Sequence, residues 1–316
     1  MKPLLKFLAA ALALLVVAAG TLIALYRVPD RPVEDLKARW APPPSQFVQI
    51  AGMSVHLRDE GPREDPLPIV LLHGTGASLH TWEGWARALK DEHRVISYDM
   101  PGFGLTGPSP DANYTIENYV RVLVAVLDQV GVQRCVLAGN SLGGYVAWAA
   151  AVLEPGRIAR LVLVDAGGYP YESTSVPLGF RIARTPLLRT LMKDVLPRSI
   201  IESSVQNVFG DPAKVTPGLI DRYFDLTTRA GNRQALGERF RQTQPGALAE
   251  RVPEIKVPTL ILWGGRDRLI PPSLGDRFQQ EIAGSTLSVF KDLGHVPQEE
   301  DPAATVAVLK DFLAQP

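Results

Sequence analysis

The sequence predicts an α/β protein: a mostly parallel, eight-stranded sheet with helices on both faces and a helical segment inserted between two of its strands. Three observations carry this. Short runs of branched apolar residues alternate with longer periodic stretches from about residue 47 to residue 165. The alternation then lapses for about 80 residues in which only helical patterns occur, and it resumes at residue 259. Strand and helix in strict alternation call for a parallel sheet, because each crossover needs a covering helix.

The elements follow in order. Residues 47–50 and 53–57 are strand candidates about a turn at Ala51-Gly52, and 67–72 is a denser apolar run, as expected of a strand covered on both faces. A helix over 82–89 and a strand over 94–98 come next, then a long amphipathic helix over 114–130 with Thr115 as its cap. Residues 135–138 read as a strand, 142–153 as a helix and 161–164 as a strand. Helical patterns then cover 180–192, 197–209, 217–230 and 232–242, before strands at 259–263 and 286–290 and a closing helix at 303–313. The expected organisation is an apolar N-terminal segment (1–27), a proline-rich tether (28–45), a first core part (46–167), a helical lid (168–251) and a second core part (252–316).

Composition narrows the function. The chain has 316 residues, 46% hydrophobic and 21% charged, which describes a folded protein. Its 33 basic residues balance 33 acidic ones, so no net field favours nucleic acid or a strongly charged substrate, and no nucleic-acid partner is expected. Cys135 is the only cysteine, which excludes an intrachain disulfide and a cysteine-rich metal site; its apolar neighbours make it a buried core residue.

Residues 7–25 carry no charge, and nineteen residues at 1.5 Å each come close to spanning a bilayer core. The stretch is longer than the apolar part of an ordinary signal peptide. A single-pass membrane anchor is therefore expected, with the catalytic domain outside the cytoplasm; the alternative is a cleaved signal and a secreted or periplasmic enzyme.

Chemistry concentrates at Gly139-Asn140-Ser141-Leu142-Gly143, a G-x-S-x-G motif with Gly144 next to it. It lies between a strand and a helix, the setting that puts a serine hydroxyl on a strained turn at a helix N-terminus. A serine hydroxyl needs a base. Of five histidines, His295 falls in a loop beyond the last strand, where the base of a Ser, acid, His order belongs. The others suit structural roles: His56 in a strand, His80 and His93 exposed or capping beside a helix, and His73 pinning its loop. The acid is expected at a strand end between Ser141 and His295. Asp267, after Trp263-Gly264-Gly265, fits best, with Asp165 as runner-up, whereas Asp99 precedes the nucleophile and reads as organising its own turn. The loop His73-Gly74-Thr75-Gly76 supplies an oxyanion donor, the amide of Thr75 or alternatively Gly76, beside the amide of Leu142. Neither a metal nor an organic cofactor is expected.

These pieces together resemble the α/β-hydrolase fold superfamily: His73-Gly74 after the third strand, Asp99-Met-Pro101-Gly-Phe-Gly104 after the fourth, the serine motif after the fifth, Gly264-Gly-Arg-Asp267 after the seventh and Gly294-His295 after the eighth. The resemblance covers residues 47–314 and implies the α/β-hydrolase fold, a Ser141, Asp267, His295 triad and hydrolysis. Members that open epoxides or dehalogenate carry aspartate at the elbow, so serine argues against both. The Asn140-Ser141 pair is similar to the meta-cleavage product hydrolases, which cut carbon-carbon bonds, but their tryptophan after the catalytic histidine is Val296 here. Proline iminopeptidases carry tryptophan where this chain has Leu142. The resemblance implies an esterase or lipase-like enzyme for a small apolar or amphipathic ester, with carbon-carbon bond hydrolysis or peptidase activity as the alternatives. A non-catalytic binding protein on the same fold is the reading from another class.

Overall fold

Runs rich in valine, leucine and isoleucine form the strands. In the computed structural model, which describes residues 2–191 and 194–315, these are β1 (Gln46–Ile50), β2 (Met53–Glu60), β3 (Ile69–Leu72), β4 (Val95–Tyr98), β5 (Cys135–Asn140), β6 (Ile158–Val164), β7 (Thr259–Gly264) and β8 (Thr286–Phe290). They make one sheet in the order β1-β2-β4-β3-β5-β6-β7-β8. β1 pairs antiparallel with β2, and β2 antiparallel with β4; every later pairing is parallel. The hairpin turns through Ala51 and Gly52, both at positive φ, as a two-residue hairpin loop requires.

Two apolar layers cover the sheet. The helices Ile116–Gln129, Leu142–Leu153 and Ser273–Glu281 pack on one face through residues such as Leu123, Val146 and Phe278. Glu83–Leu89 and Pro302–Leu313 cover the other through Trp85, Leu89 and Leu309. Cys135 is fully buried, and burial pushes its thiol up to about 12. The strand order steps to β4 on one side of β3 and to β5 on the other, so the loops after β3 and β5 leave the sheet together at its carboxyl end. That is where an open parallel sheet forms a crevice.

The segment between β6 and β7 is helical, as expected, with one difference. The pattern that begins at Phe180 is broken into Leu178–Arg184 and Pro186–Leu191. Pro186 forces the preceding residue out of helical geometry, and Thr185 is extended at φ −99°, ψ 108°. The end of that expected helix, at Met192, lies outside the described residues. Arg198–Val208, Pro217–Thr227 and Asn232–Gln242 complete the segment.

The N-terminal helix runs over Lys2–Tyr26, and an 18-residue stretch of it has a mean hydropathy of 2.6 with none of that stretch buried. Residues 28–45 do not stand off as a free tether. They carry a helix, Glu34–Trp40, whose Leu36 packs on Leu105 and Leu226. Arg31 donates its amide to the Thr228 carbonyl at 2.7 Å and its guanidinium to Asp225 at 2.9 Å, while Arg39 pairs with Asp221 at 2.7 Å. Proline content argued for an extended spacer; the polar partners that hold the segment, Asp221, Asp225 and Thr228, lie nearly two hundred residues away in sequence, where no local pattern reveals them.

Candidate active site

The tight turn at Ser141 forms where β5 meets the helix Leu142–Leu153. Ser141 sits between them at φ 56°, ψ −113°, a conformation that costs a non-glycine residue on the order of 1–3 kcal/mol. Surrounding structure holds it there: the Ser141 amide donates to the Val164 carbonyl at 3.0 Å, and its own carbonyl accepts from Gly167 at 2.9 Å. The glycines of the motif are a packing requirement. A Cβ on Gly139 would strike the Gly143 carbonyl, one on Gly143 would strike the Leu72 carbonyl, and one on Gly144 would meet Ala166.

His295 and Asp267 come together from the loops after β8 and β7. Nδ1 of His295 lies 2.6 Å from Oδ2 of Asp267, and Oδ1 of Asp267 accepts from the amides of Leu269 at 2.8 Å and Ile270 at 3.0 Å. Both groups are buried. The strand end can approach the histidine loop because Gly264 has no side chain; a Cβ there would collide with the Gly294 carbonyl. The loop itself is tied on three sides. The His295 amide donates to Val208 at 2.7 Å, its carbonyl accepts from Asn140 Nδ2 at 2.9 Å, and the Gly294 amide donates to Glu300 Oε2 at 2.8 Å.

Ser141 and His295 line one cavity of about 460 Å³, together with Gly74, Thr75 and Gly76. Among the described residues no hydrogen bond joins the Ser141 hydroxyl to His295; such contacts commonly tighten only when substrate binds. The amides of Thr75 and Leu142 meet no backbone acceptor among the described residues, so both remain able to donate to a ligand. Gly76 turns the loop at φ +73°, and a Cβ on Gly74 would crowd Asn140 and Ser141. His73 anchors this loop, as expected. Its Nδ1 faces the Gly74 carbonyl at 2.8 Å and its Nε2 accepts from the Met100 amide at 2.9 Å, which fixes the tautomer. Burial pushes its pKa down, against the opposing pull of Asp99, and the ring is neutral.

The remaining candidates separate cleanly. Asp99 is fully buried in its turn, with His56 Nδ1 at 2.7 Å and the amides of Leu79 and Leu105 donating to it at 2.8 and 2.7 Å. His56 lies in β2 as expected and is buried; His80 is buried too, where an exposed or capping place beside the helix was expected, because this turn and residues 40–45 enclose it. Asp165 lies beside Asp267: one donor atom each from Asp165, Asp267 and His295 fall within 4.8 Å of one another. Such a trio has the composition of a metal-ligand set, but Nδ1 of His295 and both oxygens of Asp267 already serve one another and the backbone.

Sequence reading missed two glutamates. Glu300, buried, accepts from the amides of Gly210, Asp211 and Gly294, and so binds the histidine loop to the helical segment. Glu299 pairs with Arg222 and accepts at 2.8 Å from the hydroxyl of Tyr223, a residue of the cavity wall. Two adjacent glutamates in a short polar stretch read as solvent-facing; their proximity to His295 was the one available signal.

The family described as alpha/beta hydrolases matches residues 69–308. A 2-hydroxy-6-oxo-2,4-heptadienoate hydrolase of Pseudomonas putida F1 is 32% identical over 279 residues, an alignment covering 85% of this chain and 96% of that protein. A solved meta-cleavage product hydrolase from Pseudomonas fluorescens IP01 shares the fold, with a TM-score of 0.74, 24% identity and coverage of 85% of this chain and 97% of the other. A solved membrane phospholipase A, described as a bacterial virulence factor, gives a TM-score of 0.73 at 25% identity, covering 99% of this chain and 98% of that one. That last match takes in the N-terminal apolar helix; the other two leave about one seventh of the chain unmatched.

Proposed function

Because this chain belongs to the alpha/beta hydrolase family, we propose that it is a membrane-anchored serine hydrolase that cleaves a carboxylic ester of an amphipathic substrate through an acyl-enzyme. One observation carries the reading. The cavity that holds Ser141 and His295 is lined mainly by apolar residues and extends to Asp30, Asp194 and Leu196. Those residues adjoin the end of the apolar helix: Val28 donates to the Asp194 carbonyl at 2.8 Å, and Leu196 to the Tyr26 carbonyl at 3.1 Å. A ligand leaving the bilayer beside that helix would meet the cavity directly. The helical segment between β6 and β7 acts as a lid, with Phe180 and Val205 on the cavity wall.

His295 takes the Ser141 proton as the hydroxyl oxygen attacks the ester carbonyl. The oxyanion rests on the amides of Thr75 and Leu142, and Asp267 stabilises the imidazolium without taking its proton. Collapse expels the alcohol, protonated by His295; water then repeats the sequence and releases the acid. Steady-state hydrolysis of p-nitrophenyl esters from acetate to palmitate by the full chain in detergent tests this. Ser141→Ala should lower kcat by about 10⁴-fold or more without lowering stability, since serine bears the strained φ. Equal rates in the two proteins would overturn the assignment.

A second reading, carbon-carbon bond hydrolysis, is favoured by the 32% identity to the heptadienoate hydrolase. Turnover of 2-hydroxy-6-oxo-2,4-heptadienoate with no ester hydrolysis would select it. The anchor has its own test: intact protein should stay with membranes through alkaline carbonate extraction, and recovery in the soluble fraction would overturn it.

A further inference from the structure

We propose that Asp165 is a neutral carboxylic acid that donates a hydrogen bond to Asp267 and thereby positions the carboxylate that orients His295. This rests on reading Ser141, Asp267 and His295 as the catalytic set. Asp165 directly follows the end of β6, Gly264 is the last residue of β7, and the two strands are paired neighbours through Val164 and Leu262. Its side chain is fully buried, and its backbone takes φ +44°. Oδ1 accepts from the Gly264 amide at 2.9 Å, but Oδ2, equally buried, has no N–H or O–H donor among the described residues.

The neighbouring carboxylate is in the opposite condition. Asp267 accepts from two backbone amides on one oxygen and from His295 on the other, so both of its oxygens already have donors. Two carboxyls this close, away from water, cannot both ionise. The proton therefore belongs to the group short of donors. Placed on Oδ2 of Asp165 it becomes the donor that Asp267 receives, and the one orphaned oxygen of the cluster is satisfied. Burial, and after it the negative charge of Asp267, holds the Asp165 carboxyl well above the usual carboxylate range; Glu300 adds to the same effect. A buried acid kept neutral so that it can donate is a recognised device of active sites.

The arrangement differs from one in which Asp165 is charged. A second negative charge facing His295 would raise the base's affinity for a proton, whereas a neutral donor steadies Asp267 and adds no charge. Asparagine reproduces the neutral donor: its Nδ2–H can serve Asp267, its Oδ1 can accept from Gly264, and it tolerates positive φ better than most residues. Glycine removes the side chain without a backbone penalty.

Both variants are measured in the full chain in detergent, with p-nitrophenyl ester as substrate and thermal unfolding as a check on folding. Asp165→Gly should lower kcat about ten- to a hundredfold with KM little changed, the effect of one charge-assisted hydrogen bond lost, and unchanged kcat would overturn the proposal. Asp165→Asn should restore that loss, and the acid limb of its kcat/KM profile should superpose on the wild type. A displacement of that limb toward lower pH by about a unit would mean that Asp165 carries charge, and would also overturn it. An infrared comparison of Ser141→Ala with Ser141→Ala/Asp165→Asn needs no turnover. A protonated-carboxyl C=O band should be present at neutral pH in the first and absent in the second; identical spectra would remove the proton from Asp165 whatever reaction Ser141 performs.

Discussion

Two buried aspartate–histidine pairs lie at the carboxyl end of the sheet, and by their contact distances they are nearly the same object: His56 to Asp99 at 2.7 Å and His295 to Asp267 at 2.6 Å. Each aspartate also accepts from two backbone amides. What separates them is the other side of the imidazole. His56 Nε2 meets the Ser45 hydroxyl at 2.9 Å, an oxygen also bound by Arg58, so that ring is closed within the fold. His295 is set on the wall of the cavity that holds Ser141. The pair is therefore a generic way to fix an imidazole, and its role follows from what the second nitrogen can reach.

Removing the carboxylate charge from each pair sharpens this contrast most. Asp267→Asn should lower kcat by about 10³- to 10⁴-fold, because the amide no longer selects the useful tautomer or stabilises the imidazolium, while the unfolding midpoint changes little. Asp99→Asn should do the reverse. Its carboxylate accepts from His56, Leu79 and Leu105, so an amide NH₂ must face at least one donor. Breaking a buried pair of this kind costs about 3–5 kcal/mol in stability, with kcat per folded molecule retained. Chemical denaturation and ester hydrolysis on the same two variants decide it, and equal kcat losses would erase the distinction.

The second variant also carries a pH signature. Burial works against the charge on Asp99, yet His56, with His73 and His80 behind it, holds the carboxyl well below its usual range. A depressed acid contributes stability above the unfolded-state value and loses it as pH falls through the folded one. The stability gap between wild type and Asp99→Asn should therefore be full above about pH 4 and shrink as the medium becomes more acid. A gap independent of pH down to the acid transition would mean that Asp99 acts only through shape.

The two pairs were not equally readable in the sequence. Ser141, Asp267 and His295 stand out because each follows a strand end and carries the glycines that local sterics demand; Gly139, Gly143 and Gly264 have no room for a Cβ. The inner strands β3, β4, β5 and β7 are readable for a similar reason, since a strand buried on both faces leaves a dense apolar run. Asp99 was legible as the organiser of its turn, but the burial of His56 and His80 was not, because it depends on Ser45 and Trp40 crossing over them. Asp165 was read as a rival to Asp267, since both end adjacent strands; only the paired strands show that they stand side by side. Glu300 was invisible for the same reason as the packing of residues 28–45: the groups it binds, Gly210 and Asp211, are distant in sequence. Local steric need is written in the sequence, whereas long-range pairing between polar groups is not.

His80 provides the finest test of the structural pair, because its ring lies 6.0 Å from that of His56 and answers to pH in a different window. Its Nε2 faces the Trp40 carbonyl at 2.8 Å and its Nδ1 faces the Ser78 hydroxyl at 3.0 Å, an arrangement suited to the neutral ring. Burial lowers its pKa to about 4; Asp99 and Glu83 oppose this and Arg222 and Arg58 reinforce it. The unfolded chain takes up this proton near pH 6.5 and the folded chain only near 4, so between those values the unfolded state binds more protons. Stability from the neutral ring is complete above the higher value and drains away as pH falls toward the lower, by at most about 3 kcal/mol. His80→Gln keeps a donor for the Trp40 carbonyl but cannot titrate. Its unfolding free energy, measured by denaturant at intervals across that window, should fall less steeply than that of the wild type as the medium is acidified. Parallel curves would show that the ring is already free to take up its proton in the fold, and that the closed shell around the His56 pair is looser than its hydrogen bonds indicate.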